Sequence, residues 1–383
     1  MGLPSGLSSQ IGYTVESTYG TWVTPATFQP LVSETLNGDD ARSESEGAIA
    51  GLSVLGSGQW VPSARTVGGD VGLELFDRGI GKLFKMMFGG VATTGSGPYT
   101  HTFTPSTLPS YSWQVGRPQN DGTVIPCNYT GMKVASWELA AKADEIATLG
   151  LTLMGQNETI GSRVVTDGVT TNSSTAITSA TAAFTQADVG KLISGTGITS
   201  GTTIAAVTSG TAATLSAAAT ATGTSISFTI GAALASASYA SGQVPVHFKN
   251  GSLTLAGSTC YFSECTIKGE NELSDRRPTA GSVLTREHLP ADRRVYTVDI
   301  KAEFDDLTTQ IAYRAGTEAA LVLAFTVGTY TLTVSGNIRY DQSKVNAASK
   351  GILERDITGM FTRSSSTDAS AITAVLVNGD SAP

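Results

Sequence analysis

The residues able to do chemistry are few and scattered. His101, His247 and His288 each stand alone in the sequence, without the i, i+4 partner that places two imidazoles on one helical face for a metal. Cys127, Cys260 and Cys265 make an odd set, and the Cys260/Cys265 pair has no histidine near it. That pattern fits buried free thiols in a reducing cytosol better than a disulfide framework or a zinc site. The densest carboxylates are Glu303, Asp305 and Asp306. Acids this close are able to hold a metal or share a proton, but they also precede a helical stretch, 307–314, where capping and the macrodipole account for them. Gly81-Lys82 invites a phosphate-loop reading. It fails, because Phe76 stands where the first glycine is needed and Leu83 where a Ser or Thr should follow the lysine. No nucleophile elbow or dinucleotide fingerprint is present. The sequence therefore assigns no catalytic residue, no cofactor and no metal ligand, and the expected class is a non-enzymatic assembly protein.

The elements that would position such residues are mostly strands. The chain has 383 residues, 43 of them Gly, with 15% charged residues and a formal net charge of −8. That is a turn-rich, mainly β composition with a sizeable core. An acidic chain makes a poor phosphate-gripping surface. The first residues lack a secretory signal, and no apolar run is long enough for a membrane helix, so folding in a cytoplasm without membrane contact is expected.

The chain is organised around residues 133–155, KVASWELAAKADEIATLGLTLMG, which read as a long β-hairpin. Trp137, Leu139, Leu149, Leu151 and Leu153 fall on a core face. The opposite face is small and polar, carries Glu138, and shares its side with Val134 by strict alternation. The tip is Lys142-Ala-Asp144-Glu145. Residues 79–90, GIGKLFKMMFGG, place Ile80, Leu83, Phe84, Met87 and Phe88 on one helical stripe, with Asp77 as the expected cap of a helix over 78–88. Strands are expected at 11–16, 28–36, 69–76, 99–103, 111–115, 244–248, 252–256, 260–268 and 295–304. Others are expected at 321–327, 330–338, 352–362 and 371–377. The 295–304 run alternates cleanly, with Thr297, Asp299, Lys301 and Glu303 facing out.

Residues 37–64 are Gly, Ser and mixed charge with no sustained period and read as a long polar loop. Asp39, Asp40, Arg42, Glu44 and Glu46 suit a contact with another copy of the chain. Residues 268–294 are the most charged stretch and read as an extended arm. Its Arg276-Arg277 and Arg293-Arg294 pairs, flanked by acids, are candidate subunit contacts rather than nucleic-acid contacts. Between 162 and 230 the only charges are Arg163, Asp167, Asp188 and Lys191, and Thr, Ala and Ser dominate. Short alternating runs between glycine turns give a small antiparallel β-domain over 161–231, inserted between a first core part, 1–160, and a second, 232–383. Its DVGKLISGTGI and GTTIAAV runs resemble a small β-module found in phage virion proteins.

The order of these features resembles a major tail tube protein of a long-tailed, non-contractile (siphovirus-type) bacteriophage. The carrying residues are GYTVESTYGTW (12–22), the polar 37–64 segment, GIGKLFKMMFGG (79–90), the 133–155 hairpin and the β–α–β–β order over 295–338. The resemblance implies a β-sandwich or barrel tail-tube fold flanked by one or two short helices. It also implies homo-hexameric rings stacked into a DNA-conducting tube within the virion tail, assembled in the host bacterial cytoplasm. Tape measure and terminator proteins would be further partners, and double-stranded DNA a transient one. On that reading Glu138, Asp144, Glu145, Asp299, Glu303, Glu354 and Asp356 are lumen-facing candidates, and the insert projects outward. A surface adhesin or carbohydrate-binding β-protein is the competing class, suggested by the Thr-rich insert and weakened by its having only two aromatics, Phe184 and Phe228.

Overall fold

The computed structural model describes residues 6–47, 53–54, 56–274, 280–305, 307–346, 352–365 and 370–383. The chain is mainly β and divides into two compact units.

One unit gathers residues up to 28, 110–132 and 155–238. Its first sheet pairs Gln10–Val15 with Tyr111–Pro118, that strand with the start of Val124–Lys142, and that start with Asn157–Ile160, all antiparallel. Alternation puts Tyr13, Tyr111, Trp113 and Tyr129 inward, where all are fully buried. Tyr13 and Trp113 rings lie 4.8 Å apart. Buried Glu16 ties the glycine-rich turn after the first strand. It accepts from Gly20 N (2.8 Å), Gly131 N (2.8 Å) and the Ser112 hydroxyl (3.0 Å).

Residues 163–230 form a separate six-stranded sheet in the same unit, ordered Ile193–Gly195, Gly223–Ile230, Arg163–Thr170, Ala176–Thr178, Ala212–Leu215, Ile204–Ser209. Its core includes Val165, Ile177, Phe184, Ile193, Leu215 and Phe228. The short alternating runs of the sequence, 175–178, 191–194, 203–207, 213–216 and 225–230, fall on five of these strands, and none marks Arg163–Thr170. Two register shifts against Gly223–Ile230 break that strand's alternation, so Val164 and Val169 are exposed while Val165 is buried. One buried carboxylate stitches the sheet. Asp188 receives both terminal nitrogens of Arg163 (2.8 and 2.6 Å), the Thr185 backbone N–H (3.0 Å) and Lys191 Nζ (3.2 Å). Burial opposes its charge, but these donors together hold the carboxyl well below the usual range.

The other unit gathers 29–109, 133–154 and 239–383. Its strands run side by side as Asn37–Glu44, Trp60–Glu74, Thr148–Gly155, the latter part of Val124–Lys142, Phe262–Glu270, Val295–Glu303, Glu354–Thr362 and Tyr330–Asn346. Tyr330–Asn346 also pairs with Glu318–Val327 on its other side and, through its first half, with Ile372–Asn378, which continues to Tyr99–Pro105 and Gly89–Thr94. Helix α1, Gly81–Phe88, lies in the core. Phe84 meets Phe103 at 5.6 Å, and Phe88 meets Trp137 at 5.4 Å and Tyr296 at 6.3 Å.

Several expectations change. The helix starts at Gly81, not 78, and no side chain caps it; the Asp77 carboxylate accepts from Val244 N (2.9 Å) instead. Within 37–64 the two ends are paired strand rather than loop: Asn37–Glu44 pairs with Trp60–Glu74 from Asn37 opposite Gly68 to Glu44 opposite Trp60. Residues 28–36 give two short strands, Thr27–Gln29 and Ser33–Glu34. Residues 244–248 form no strand; the His247 ring caps the short turn Phe248–Asn250. Val134 is buried, because a register shift puts Thr152 opposite Ser136 but Leu153 opposite Val134. Helix α2 runs Thr308–Ala315 after Leu307 without a side-chain cap; Gly316, φ 70°, ends it as expected, and Asp306 lies outside the described residues.

Replacing Arg163 with Ala leaves Asp188 buried with its charge only partly answered. The 163–230 sheet should lose about 3 kcal/mol, the lower end for stranding one partner of a buried pair, measured as lost amide-exchange protection there. In the parent protein the depressed Asp188 pKa contributes stability that is full above the unfolded value near ~3.9 and falls away only as pH drops through the lower folded value.

Candidate functional site

The 133–155 hairpin is the centre of a sheet whose two faces differ completely. Trp137, Leu139, Leu149, Leu151, Ile267, Val298, Ile300 and Ile357 are buried on one side. Register fixes the other side row by row. Glu138 stands between Gly150 and Lys268. Ala140 stands between Thr148 and Thr266, and the row continues through Asp299, Thr358 and Gln342. The next row reads Lys142, Glu264, Lys301, Asp356, Lys344. This face is small, polar and charged, and it holds shallow troughs of ≈ 410 Å³ beside Glu138 and ≈ 290 Å³ beside Asp299.

Most of its charges are paired across strands. Lys268 lies 3.4 Å from Glu138, Lys142 lies 3.3 Å from Glu264 and Lys301 lies 2.9 Å from Glu264, while Arg339 pairs within its own strand, 2.7 Å from Asp341. The Lys301 hydrogen bond, reinforced by Lys142 against a smaller opposing effect of burial, holds the Glu264 carboxyl below its ordinary range. The same hydrogen bond raises Lys301. Glu303 stands directly opposite Glu354 at the end of the face, a like-charge pair that costs stability. The same end exposes Tyr261, Leu307, Ile311, Ile352 and Leu353.

Of the lumen-facing candidates, Glu138, Asp299, Glu303, Glu354 and Asp356 fall on this one face. Asp144 and Glu145 do not; they are exposed in the hairpin turn, with Asp144 in the left-handed region at φ 63°. Of the contact candidates, Asp39, Asp40, Arg42 and Glu44 line one strand and Glu46 follows it. Asp40 forms a two-point pair with Arg65 (2.6 and 2.9 Å), and Arg42 lies 5.4 Å over the Trp60 ring. Arg276 and Arg277 lie outside the described residues. Arg293 is exposed, whereas Arg294 donates to the carbonyls of Phe88 (3.1 Å) and Ser106 and so secures the end of α1. Sequence reasoning missed Lys142, Glu264, Lys268 and Lys344 as face residues. Alternation told which side each faces on its own strand, but the partner depends on register between distant segments.

The groups that first suggested chemistry have structural occupations. His101 is buried between the Thr93 hydroxyl (2.8 Å) and the Asp380 carbonyl (2.9 Å), and His288 Nδ1 meets the Ser274 carbonyl at 2.8 Å. The three cysteines are buried thiols in no disulfide, and burial pushes the Cys260 and Cys265 thiols up, away from reactivity. Among the described residues no group of acids, histidines and cysteines is arranged to hold a metal. Lys133, almost fully buried, donates to Glu287 (2.7 Å) and the His288 carbonyl (3.1 Å), latching the charged arm to the start of the hairpin.

A β-sandwich with a buried helix and one largely polar sheet face fits a structural subunit. The family model for phage tail tube protein matches residues 6–213 and 198–361, and the chain belongs to that family. It is a component of the virion tail that assembles with itself and with other tail proteins. No curated protein matches the chain.

Lys133→Met removes the latch while keeping most of the buried stem. It should cost about 1.5–3 kcal/mol, as for a hydrogen bond to a charged group. Faster amide exchange confined to residues 283–290 would confirm it.

Proposed function

We propose that the chain is the major tail tube subunit of a siphovirus-type tail, forming hexameric rings that stack into a tube for DNA. The observation that carries this is the polar face of the 133–155 sheet. It is continuous across six strands from Trp60–Glu74 to Glu354–Thr362, with the large buried apolar side chains on the other side and Met360 the apolar member of the Glu138–Lys268–Thr297 row. Such a wall gives a passing duplex little that is apolar to adhere to, and Lys142, Lys268 and Lys301 are already engaged by carboxylates. On this reading Glu138, Asp299, Glu303, Glu354 and Asp356 line the bore, and Asp144 and Glu145 stand at its rim.

Self-assembly has a second support. Asn37–Glu44 pairs only with Trp60–Glu74 among the described residues and is therefore an edge strand. Unsatisfied edges recruit further strands, and closed cyclic pairing between copies removes them. The exposed Asp39, Glu44 and Trp60 would then meet a neighbouring subunit, with the charged arm around Arg293 as a further contact. The 161–231 β-domain is read as an outward decoration, since its bulk within a bore would obstruct DNA. Tape measure and terminator proteins would meet the tube at its core and ends, with assembly in the host bacterial cytoplasm.

Electron microscopy of the purified chain should show six-fold rings or tubes; a persistent monomer would overturn the proposal. Removing 162–230 should leave tubes of smaller outer diameter. Loss of assembly in that deletion would refute the decoration reading.

A further inference from the structure

The polar face is not simply acidic. It carries Lys142, Lys268, Lys301 and Lys344, and lysines are the side chains that grip DNA phosphates. Their presence has a physical reason: neighbouring strands bearing only acids would repel one another rung by rung. Each lysine must then be kept from phosphate by its own wall.

Glu264 occupies the position to do this. It sits at the middle of the row Lys142, Glu264, Lys301, 3.3 Å from one ammonium and 2.9 Å from the other. Its own side chain is 28% exposed, against 51% and 53% for the two lysines. One carboxylate thus serves two cations that are both open to solvent. We infer that Glu264 is a charge clamp, engaging Lys142 and Lys301 so that the sheet keeps its cross-strand attraction without becoming a phosphate-binding surface. The inference rests on the reading that this face lines the bore.

The test uses assembled tubes of the full chain and a short DNA duplex, with retention measured across a salt series. Glu264→Gln frees Lys142 and leaves Lys301 with only the weaker influence of Asp356 and Glu354, and it should raise duplex retention at low salt by about tenfold or more, falling steeply as salt rises. Asp70→Asn is the control. It removes the same charge from the same face, but Asp70 accepts from the Thr152 hydroxyl (2.7 Å) and sits in the Glu138 trough. It should leave retention near the parent level. Adding Lys142→Met and Lys301→Met to Glu264→Gln should abolish the gain. If Glu264→Gln and Asp70→Asn behave alike, or neither retains DNA, the clamp is wrong. If the Gln variant does not assemble alone, minority doping into parent tubes must give retention in proportion to dose.

Failure of the bore reading shows separately. Thr148→Cys places an exposed thiol on the face, and the native cysteines are buried. Rapid labelling of assembled Thr148→Cys tubes by a bulky maleimide would put the face outside. Protection from the bulky reagent, with labelling by a small one, together with no DNA retention by Glu264→Gln, would refute the clamp alone.

Discussion

Trp137 lies over the backbone of Gly269. The two residues are cross-strand partners, and a Cβ at 269 would stand 2.3 Å from the indole. Only glycine lets the strands pair here with the ring lying flat between them. The indole then reaches Phe88 of α1 and Tyr296 of the next strand, at 5.4 and 6.1 Å, and Arg294 holds the end of the same helix. Helix, hairpin and the 295–303 strand are joined through one aromatic cluster, whose ring contacts add to ordinary burial. Because the strand period is two, placing Trp137 inward also decides that Ser136, Glu138 and Ala140 point the other way.

That decision creates the functional face. Nothing in the core needs its composition, so its residues are free to answer a different constraint. Single exposed ion pairs contribute little to stability, and the pairs here are better understood through what they prevent. Alternating charge along Lys142, Glu264, Lys301, Asp356 and Lys344 removes repulsion between adjacent strands. It also leaves no uncompensated run of cations. The exception, Glu303 opposite Glu354, stands at the end of the sheet beside exposed Tyr261 and Leu353. A face interior that is balanced and an end that is not are the distribution expected if contact with other chains is confined to the end.

The sequence made the hairpin legible because its core face is large and apolar while its other face is not. The same signal placed strands at 295–304, 321–327 and 371–377, where Val295–Glu303, Glu318–Val327 and Ile372–Asn378 lie. It failed where burial does not govern pairing. Asn37–Glu44 and its partner are held by backbone hydrogen bonds between largely polar residues, so no hydrophobic period marks them. Asp77 had the right type and place for a cap, but its carboxylate was claimed by Val244, 167 residues away. The acids of the face could be guessed from alternation on their own strands. Their lysine partners could not, since Lys142, Glu264 and Lys301 come from three segments whose register is a tertiary property.

The 163–230 sheet follows the opposite logic. It is almost uncharged, yet it buries Asp188 and surrounds it with Arg163, Lys191 and the Thr185 N–H. Apart from the stacked pair Phe184 and Phe228, its core is Ala, Val, Ile and Leu, and so few large residues leave the packing with little shape specificity. A buried carboxylate that is satisfied only when the first strand, the Gln186–Asp188 turn and Lys191 come together supplies that specificity at some cost in desolvation. In the hairpin unit the discriminating element is an aromatic ring fitted to a glycine; in the 163–230 sheet it is one charge fitted to its donors. Both solutions place the specificity inside and leave the outer surfaces open to change without loss of the fold.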